Sequence, residues 1–121
     1  MVMFLWKEKF ELGIKEIDMQ HRKLFTIGNK LYKTSYQDAK PLILELFNYT
    51  RTHFSTEEEY MKSQNYQGLD SHKFVHEDLL KKLGEVTKSG VNSANDYDKL
   101  LEFMDEWLRV HIMYEDMKYL S

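Results

Sequence analysis

Apolar residues recur every three or four positions along most of the chain, whereas the strict alternation typical of half-exposed strands is scarce. Asp18 is predicted to cap the first periodic segment, and Pro41 falls in the first turn of the second, where its missing N–H costs little. The third segment ends near Gly90, and the fourth follows the turn-like sequence NSAND. The pattern therefore predicts four helices, over residues 18–36, 40–64, 69–88 and 95–117.

Short links between helices favour antiparallel neighbours, so the predicted fold is all-α: an up-down-up-down four-helix bundle, with residues 1–121 forming a single domain. Residues 1–16 show no clear periodicity and are predicted to form an N-terminal arm. Gly28 and Gly84 interrupt the helical pattern, where each should cost about 1 kcal/mol relative to alanine. We interpret both as tolerated imperfections, the alternative being a close helix approach or space beside a site.

Composition narrows the possible functions. The chain is 42% hydrophobic and 31% charged, which is ordinary for a globular protein, and its net charge of −3 comes without a basic stripe. We therefore expect neither a nucleic-acid partner nor a membrane, and the missing signal peptide and membrane span favour the cytoplasm. Cysteine is absent, which excludes disulfides and thiolate ligands, so any metal site must use nitrogen and oxygen ligands.

Each of the five histidines lies in an apolar stripe of a predicted helix rather than on a charged face. A buried imidazole needs hydrogen-bonding or metal partners. In an up-down-up-down bundle, the start of the first helix, the end of the second, the start of the third and the end of the fourth lie together. Helix rise then places all five within roughly 15 Å of that end of the bundle. They are His21, His53, His72, His76 and His111.

Two pairs of candidate ligands have a spacing of four residues, which places both side chains on one helix face. These pairs are His53 with Glu57, and His72 with His76. Five imidazoles plus carboxylates exceed what one tetrahedral ion needs. Two octahedral ions that share bridging carboxylates would use them all, so we interpret the cluster as a two-metal site.

Spacing alone decides neither which residue supplies the second carboxylate ligand nor which metal is bound. Glu115 lies four residues after His111 and Asp116 lies five after it, near a helix end where geometry loosens. The ligand chemistry admits iron, zinc, manganese or copper.

Four motifs in this order resemble the hemerythrin family, and within it the single-domain bacteriohemerythrins. They are DMQHRKLF at 18–25, HFSTEEEYM at 53–61, HKFVH at 72–76 and WLRVHIMYED at 107–116. The resemblance spans nearly the whole chain and implies two non-haem iron ions with an oxo or hydroxo bridge. One iron would be bound by His72, His76 and His111, the other by His21 and His53, with Glu57 and Asp116 bridging them.

The same resemblance bears on neighbouring residues. The family pattern H-x4-D favours Asp116 over Glu115, and it implies that Glu58 and Glu59 face outward into solvent. Leu108 and Ile112 resemble residues that line the O2 pocket, although ordinary core packing explains them equally well.

The function implied by the resemblance is reversible O2 binding by an oxygen carrier, store or supplier that is not an enzyme. O2 would bind at the two-histidine iron, which keeps an open position. Two alternatives use the same ligands: a di-iron oxidase or peroxidase, and a module that senses O2 or iron.

Overall fold

The computed structural model describes residues 4–120, without the side chains of Tyr114, Glu115, Tyr119 and Leu120. The first three residues of the predicted arm and the candidate carboxylate of Glu115 therefore lie outside the described part. Within residues 4–120 there are four α-helices and no strand. The helices are α1 (Lys15–Tyr32), α2 (Lys40–Ser63), α3 (Leu69–Ser89) and α4 (Ala94–Val110). A π-helix over His111–Glu115 and a 3₁₀-helix over Asp116–Leu120 continue the chain after α4.

Contacts between the helices show that each runs antiparallel to the next, and that α4 also runs antiparallel to α1. In each contact, a residue near the start of one helix meets a residue near the end of its neighbour. The pairs are Gln20 with Thr56, Phe47 with Gly84, His72 with His111, and Tyr97 with Leu31. The predicted up-down-up-down bundle is confirmed.

The first helix begins before Asp18, so the prediction that Asp18 caps it is wrong. Ile14 occupies the N-cap position and makes no side-chain cap hydrogen bond. Instead, the Asp18 carboxylate accepts the backbone N–H groups of Leu12 at 2.8 Å and Gly13 at 3.0 Å. Gly13 has a φ of +85°, a conformation that glycine adopts without strain. Asp18 therefore fastens the arm to α1.

The first helix also ends earlier than predicted, at Tyr32 rather than residue 36. Ser35 is extended, and its hydroxyl donates to the Asp38 carboxylate at 3.2 Å. Such local side-chain bonds compete with helical hydrogen bonds, which explains why a separate 3₁₀ turn forms over Tyr36–Asp38.

The arm packs into the main apolar core through Phe4. Its N–H donates to Asp105 at 2.9 Å, and its carbonyl accepts from Asn29 at 3.0 Å. A Cβ on Gly28 would lie 2.3 Å from the Phe4 ring, so Gly28 is required by a close approach and our interpretation of it was wrong. The element that approaches is the arm rather than a helix. Gly84 has room for a Cβ, which agrees with a tolerated imperfection.

None of the helices within residues 4–120 is both long enough and apolar enough to cross a membrane.

Candidate metal centre

All seven predicted ligands lie together at one end of the bundle, and each is almost completely buried. Their exposed fractions range from 0% to 4%. They form two groups of side chains whose ligand atoms are close enough to hold a metal ion, and Glu57 belongs to both. The larger group contains Glu57, His72, His76, His111 and Asp116, and the smaller contains His21, His53 and Glu57.

Glu57 joins the two groups through its two oxygens. Its Oε1 lies 2.5 Å from His53 Nε2 and 3.4 Å from His21 Nε2. Its Oε2 lies 3.6 Å from His72 Nε2 and 3.9 Å from His76 Nε2. One carboxylate therefore presents one oxygen to the histidines of α1 and α2, and the other to the histidines of α3.

Asp116 repeats this arrangement from the other side of the cluster. Its Oδ2 lies 3.1 Å from His21 Nε2, and its Oδ1 lies 3.0 Å from His72 Nε2 and 2.9 Å from His111 Nε2. Both carboxylates thus span the two histidine groups.

The π-helix explains how Asp116 reaches this position. In an α-helix, each residue turns by about 100°, so a residue five positions after His111 would point about 140° away from it. Here the Asp116 N–H donates to the His111 carbonyl, the hydrogen bond of a π-turn, in which residues five apart stack on nearly the same face. The widened turn therefore allows His111 and Asp116 to share a site.

Hydrogen bonds fix the orientation of the His53 ring. The Gln20 amide donates to Thr56 Oγ1 at 3.2 Å, and that hydroxyl donates to the Thr52 carbonyl at 3.3 Å. Gln20 Oε1 is left to accept from His53 Nδ1–H at 2.7 Å. His53 Nε2 is then unprotonated, and its lone pair points at Glu57 Oε1. Two buried hydrogen-bond acceptors are therefore in contact.

The His76 ring is oriented in the same way, by a carboxylate. His76 Nδ1 donates to Glu58 Oε2 at 2.8 Å, which leaves its Nε2 as an acceptor. Glu58 is half-buried and bound to His76, so the prediction that it faces outward into solvent is wrong. Glu59 is exposed.

The three imidazole nitrogens of the larger group lie at separations typical of a shared ion. The Nε2 atoms of His72 and His76 each lie 3.2 Å from His111 Nε2. Two ligands about 2.1 Å from one ion lie about 3.0 to 3.4 Å apart at octahedral or tetrahedral angles.

While the imidazoles are neutral, several buried acceptors of the cluster have no well-aligned hydrogen-bond donor among the described residues. They are His53 Nε2, Glu57 Oε2 and both carboxylate oxygens of Asp116. Buried acceptors without donors are costly, and cations would satisfy all of them. The residues present therefore fit bound metal ions.

Two of the histidines carry a proton at neutral pH when no metal is bound. Burial disfavours the charged imidazole, but hydrogen bonds to Asp116 and Glu57 outweigh it and raise the pKa of both His21 and His72 to about 9. Burial lowers the pKa of His53, and it lowers the pKa of His76 to about 3.

The pKa of each carboxylate is lowered, because the neighbouring histidines outweigh the effect of burial. Two imidazolium ions thus balance two carboxylates in the protein without metal.

Two aromatic rings support ligand rings from outside the cluster. Phe54 stacks on His76 with centroids 3.6 Å apart, and Trp107 stacks on His111 at 4.3 Å. Leu108 and Ile112 are buried in the main apolar core, and their role in lining an O2 pocket stays a prediction.

Sequence reasoning missed Gln20, Glu58, Phe54 and Trp107 as parts of the site. All four lie inside the quoted motifs, directly beside a ligand or one helical turn before it. That adjacency was the available signal.

Comparisons with known proteins agree with the motifs. A family model of the hemerythrin HHE cation binding domain matches residues 12–121. The chain is 37% identical to a bacteriohemerythrin of Clostridium acetobutylicum, over 98% of this chain and 100% of that one. It is 36% identical to a hemerythrin of Sipunculus nudus and to a myohemerythrin of Theromyzon tessulatum, over 96% of this chain and 90% of each. The chain therefore belongs to the hemerythrin family.

Proposed function

We propose that this protein binds O2 reversibly at a centre of two non-haem iron ions. The single observation that carries the two-metal part is the placement of Glu57 and Asp116, each with one oxygen toward either histidine group. A carboxylate placed in this way serves two ions at once. Membership of the hemerythrin family supports iron and O2 as the occupants.

The ligands divide unequally between the two positions. We assign His72, His76 and His111 to one iron and His21 and His53 to the other, with both carboxylates shared. When bound, the iron pair supplies the electrons that O2 takes up. The two-histidine position has one protein ligand fewer, so we assign O2 binding to that position.

The chain contributes a dry surrounding for this chemistry. All seven ligands are at most 4% exposed, and Leu108 and Ile112, which we propose as pocket-lining residues, are 2% and 1% exposed. Excluding water from such a site limits proton transfer to bound O2 and slows irreversible oxidation. This favours a carrier, store or supplier of O2 over an enzyme.

Two measurements test the proposal. Purified protein should contain two irons per chain, and anaerobic ferrous protein should gain a visible charge-transfer band in air and lose it when O2 is removed. Elemental analysis showing one zinc, or no metal, would overturn it. Irreversible oxidation with release of peroxide would favour the oxidase alternative instead.

A matched pair of variants links the iron to the shared carboxylate. Glu57→Gln keeps the size of the side chain but removes the charge between the two histidine groups, so it should lower the iron content below two per chain. Glu59→Gln makes the same change two residues later, at an exposed position, and should leave the iron content unchanged. Equal iron in both variants would contradict the assigned role of Glu57.

A further inference from the structure

We propose that Glu58 and Gln20 make the two metal positions unequal, so that the three-histidine position holds its iron more tightly. The proposal rests on the proposed function above and concerns the groups behind the ligands. His76 donates to the carboxylate of Glu58 at 2.8 Å, whereas His53 donates to the amide oxygen of Gln20 at 2.7 Å. The two hydrogen bonds match in length and differ in the charge of the acceptor.

A charged acceptor changes the ligand more than a neutral one does. A carboxylate that accepts from Nδ1–H pulls that proton and leaves more electron density on Nε2, which makes the imidazole a stronger ligand. The amide of Gln20 has no net charge and does this more weakly. His76 is therefore a stronger metal ligand than His53, and it is one of the three histidines at the three-histidine position.

The structure fixes both acceptors in place. Thr56 holds the amide of Gln20, so its oxygen and not its nitrogen faces His53. Glu58 lies four residues before Lys62 on the same helix, but its closest described partner is His76, from the neighbouring helix α3. Its side chain is 26% exposed, which lets solvent support the charged form.

The second effect concerns the oxidation state. Extra negative charge behind one ligand favours the more highly charged ferric ion over the ferrous ion. The iron at the three-histidine position should therefore have the lower reduction potential of the two. Gln20 provides no such preference at the two-histidine position.

Graded chelation of the iron-loaded protein tests the inequality directly. Wild-type protein should lose its iron in two steps, one iron per chain in each step. Glu58→Gln should weaken the tighter position by about 10- to 100-fold, which brings the two steps together. Gln20→Glu should also bring them together, by strengthening the weaker position. Glu59→Gln is the control for charge and should release iron as the wild type does.

Reduction potentials measured by spectroelectrochemistry give a readout that a merely structural role would not move. Glu58→Gln should raise one of the two potentials, Gln20→Glu should lower the other, and Glu59→Gln should change neither. If wild-type protein holds two irons and binds O2 reversibly, but Glu58→Gln behaves like Glu59→Gln in both assays, the inference is overturned and the proposed function stands. Wild-type protein without two irons would overturn both.

Discussion

The stability of the metal-free protein should be highest near pH 6.5 and should fall on both sides. His21 and His72 have their pKa raised from 6.5 to about 9 by Asp116 and Glu57 against the opposing effect of burial. The folded state therefore binds more protons than the unfolded state between these values. The stabilisation from each histidine is fully present below pH 6.5 and is lost as pH rises toward 9. At about 1.4 kcal/mol per pH unit, each histidine contributes about 3 kcal/mol.

The pH dependence of stability has the opposite sign for His53 and His76, which stay neutral in the folded protein. Burial lowers the pKa of His76 from 6.5 to about 3, and it lowers the pKa of His53 as well. The unfolded state then binds more protons than the folded state below pH 6.5. Their contribution is fully present above that pH and is lost as pH falls below it, toward 3 in the case of His76, with a slope of up to about 1.4 kcal/mol per unit for each group. The two trends meet near pH 6.5.

Urea unfolding of chelator-treated protein at intervals from pH 5 to pH 9 measures this profile. The free energy of unfolding should decrease by at least about 3 kcal/mol between pH 6.5 and pH 9, a large part of a typical domain stability. Iron-loaded protein is the control, because bound metal keeps the imidazoles neutral and removes the decrease between pH 6.5 and pH 9. A metal-free stability that stays flat or rises between pH 6.5 and pH 9 would refute the reasoning.

Three substitutions away from the ligands test the fold. Gly28→Ala should destabilise the protein by about 1 to 3 kcal/mol, because the new Cβ overlaps the Phe4 ring. Gly84→Ala is the matched control in thermal unfolding and should stabilise by up to about 1 kcal/mol, because its nearest contact is an ordinary 3.7 Å. Tyr97→Phe removes the hydroxyl that donates to the Leu31 carbonyl, which still accepts the Thr34 N–H, and should cost about 0.5 to 1.5 kcal/mol in urea unfolding; no change would contradict that hydrogen bond.

The existence of the four helices could be predicted because each buries a long apolar stripe, and their antiparallel order follows from short links. Their ends could not be predicted as well, since side chains decide them. Asp18 has the chemistry of a cap, but its carboxylate binds the N–H groups of the arm, a contact across a bend that periodicity does not describe. The close approach at Gly28 was missed for the same reason, since nothing in the sequence indicates where Phe4 packs.

The candidate ligands on one helix could be recognised by a spacing of four residues, which follows from helix geometry. Asp116 could not, because it lies five residues after His111 and only the π-helix brings it back. A regular α-helix would have favoured Glu115, and the choice between them came from the resemblance to a family. The roles of Gln20 and Glu58 depend on how neighbouring helices are aligned, which no spacing within one helix contains.

Protonation and metal binding both neutralise the buried carboxylates of this cluster, but only metal binding also occupies all of its lone pairs. Protonation of His21 and His72 balances the charges of Glu57 and Asp116. It leaves the lone pair of His53 Nε2 facing a carboxylate oxygen at 2.5 Å, a contact that two acceptors make only with a cation between or beside them. Metal ions remove this conflict and release the two protons. The same interactions that make the metal-free bundle sensitive to pH therefore drive it to bind metal more tightly as pH rises toward 9.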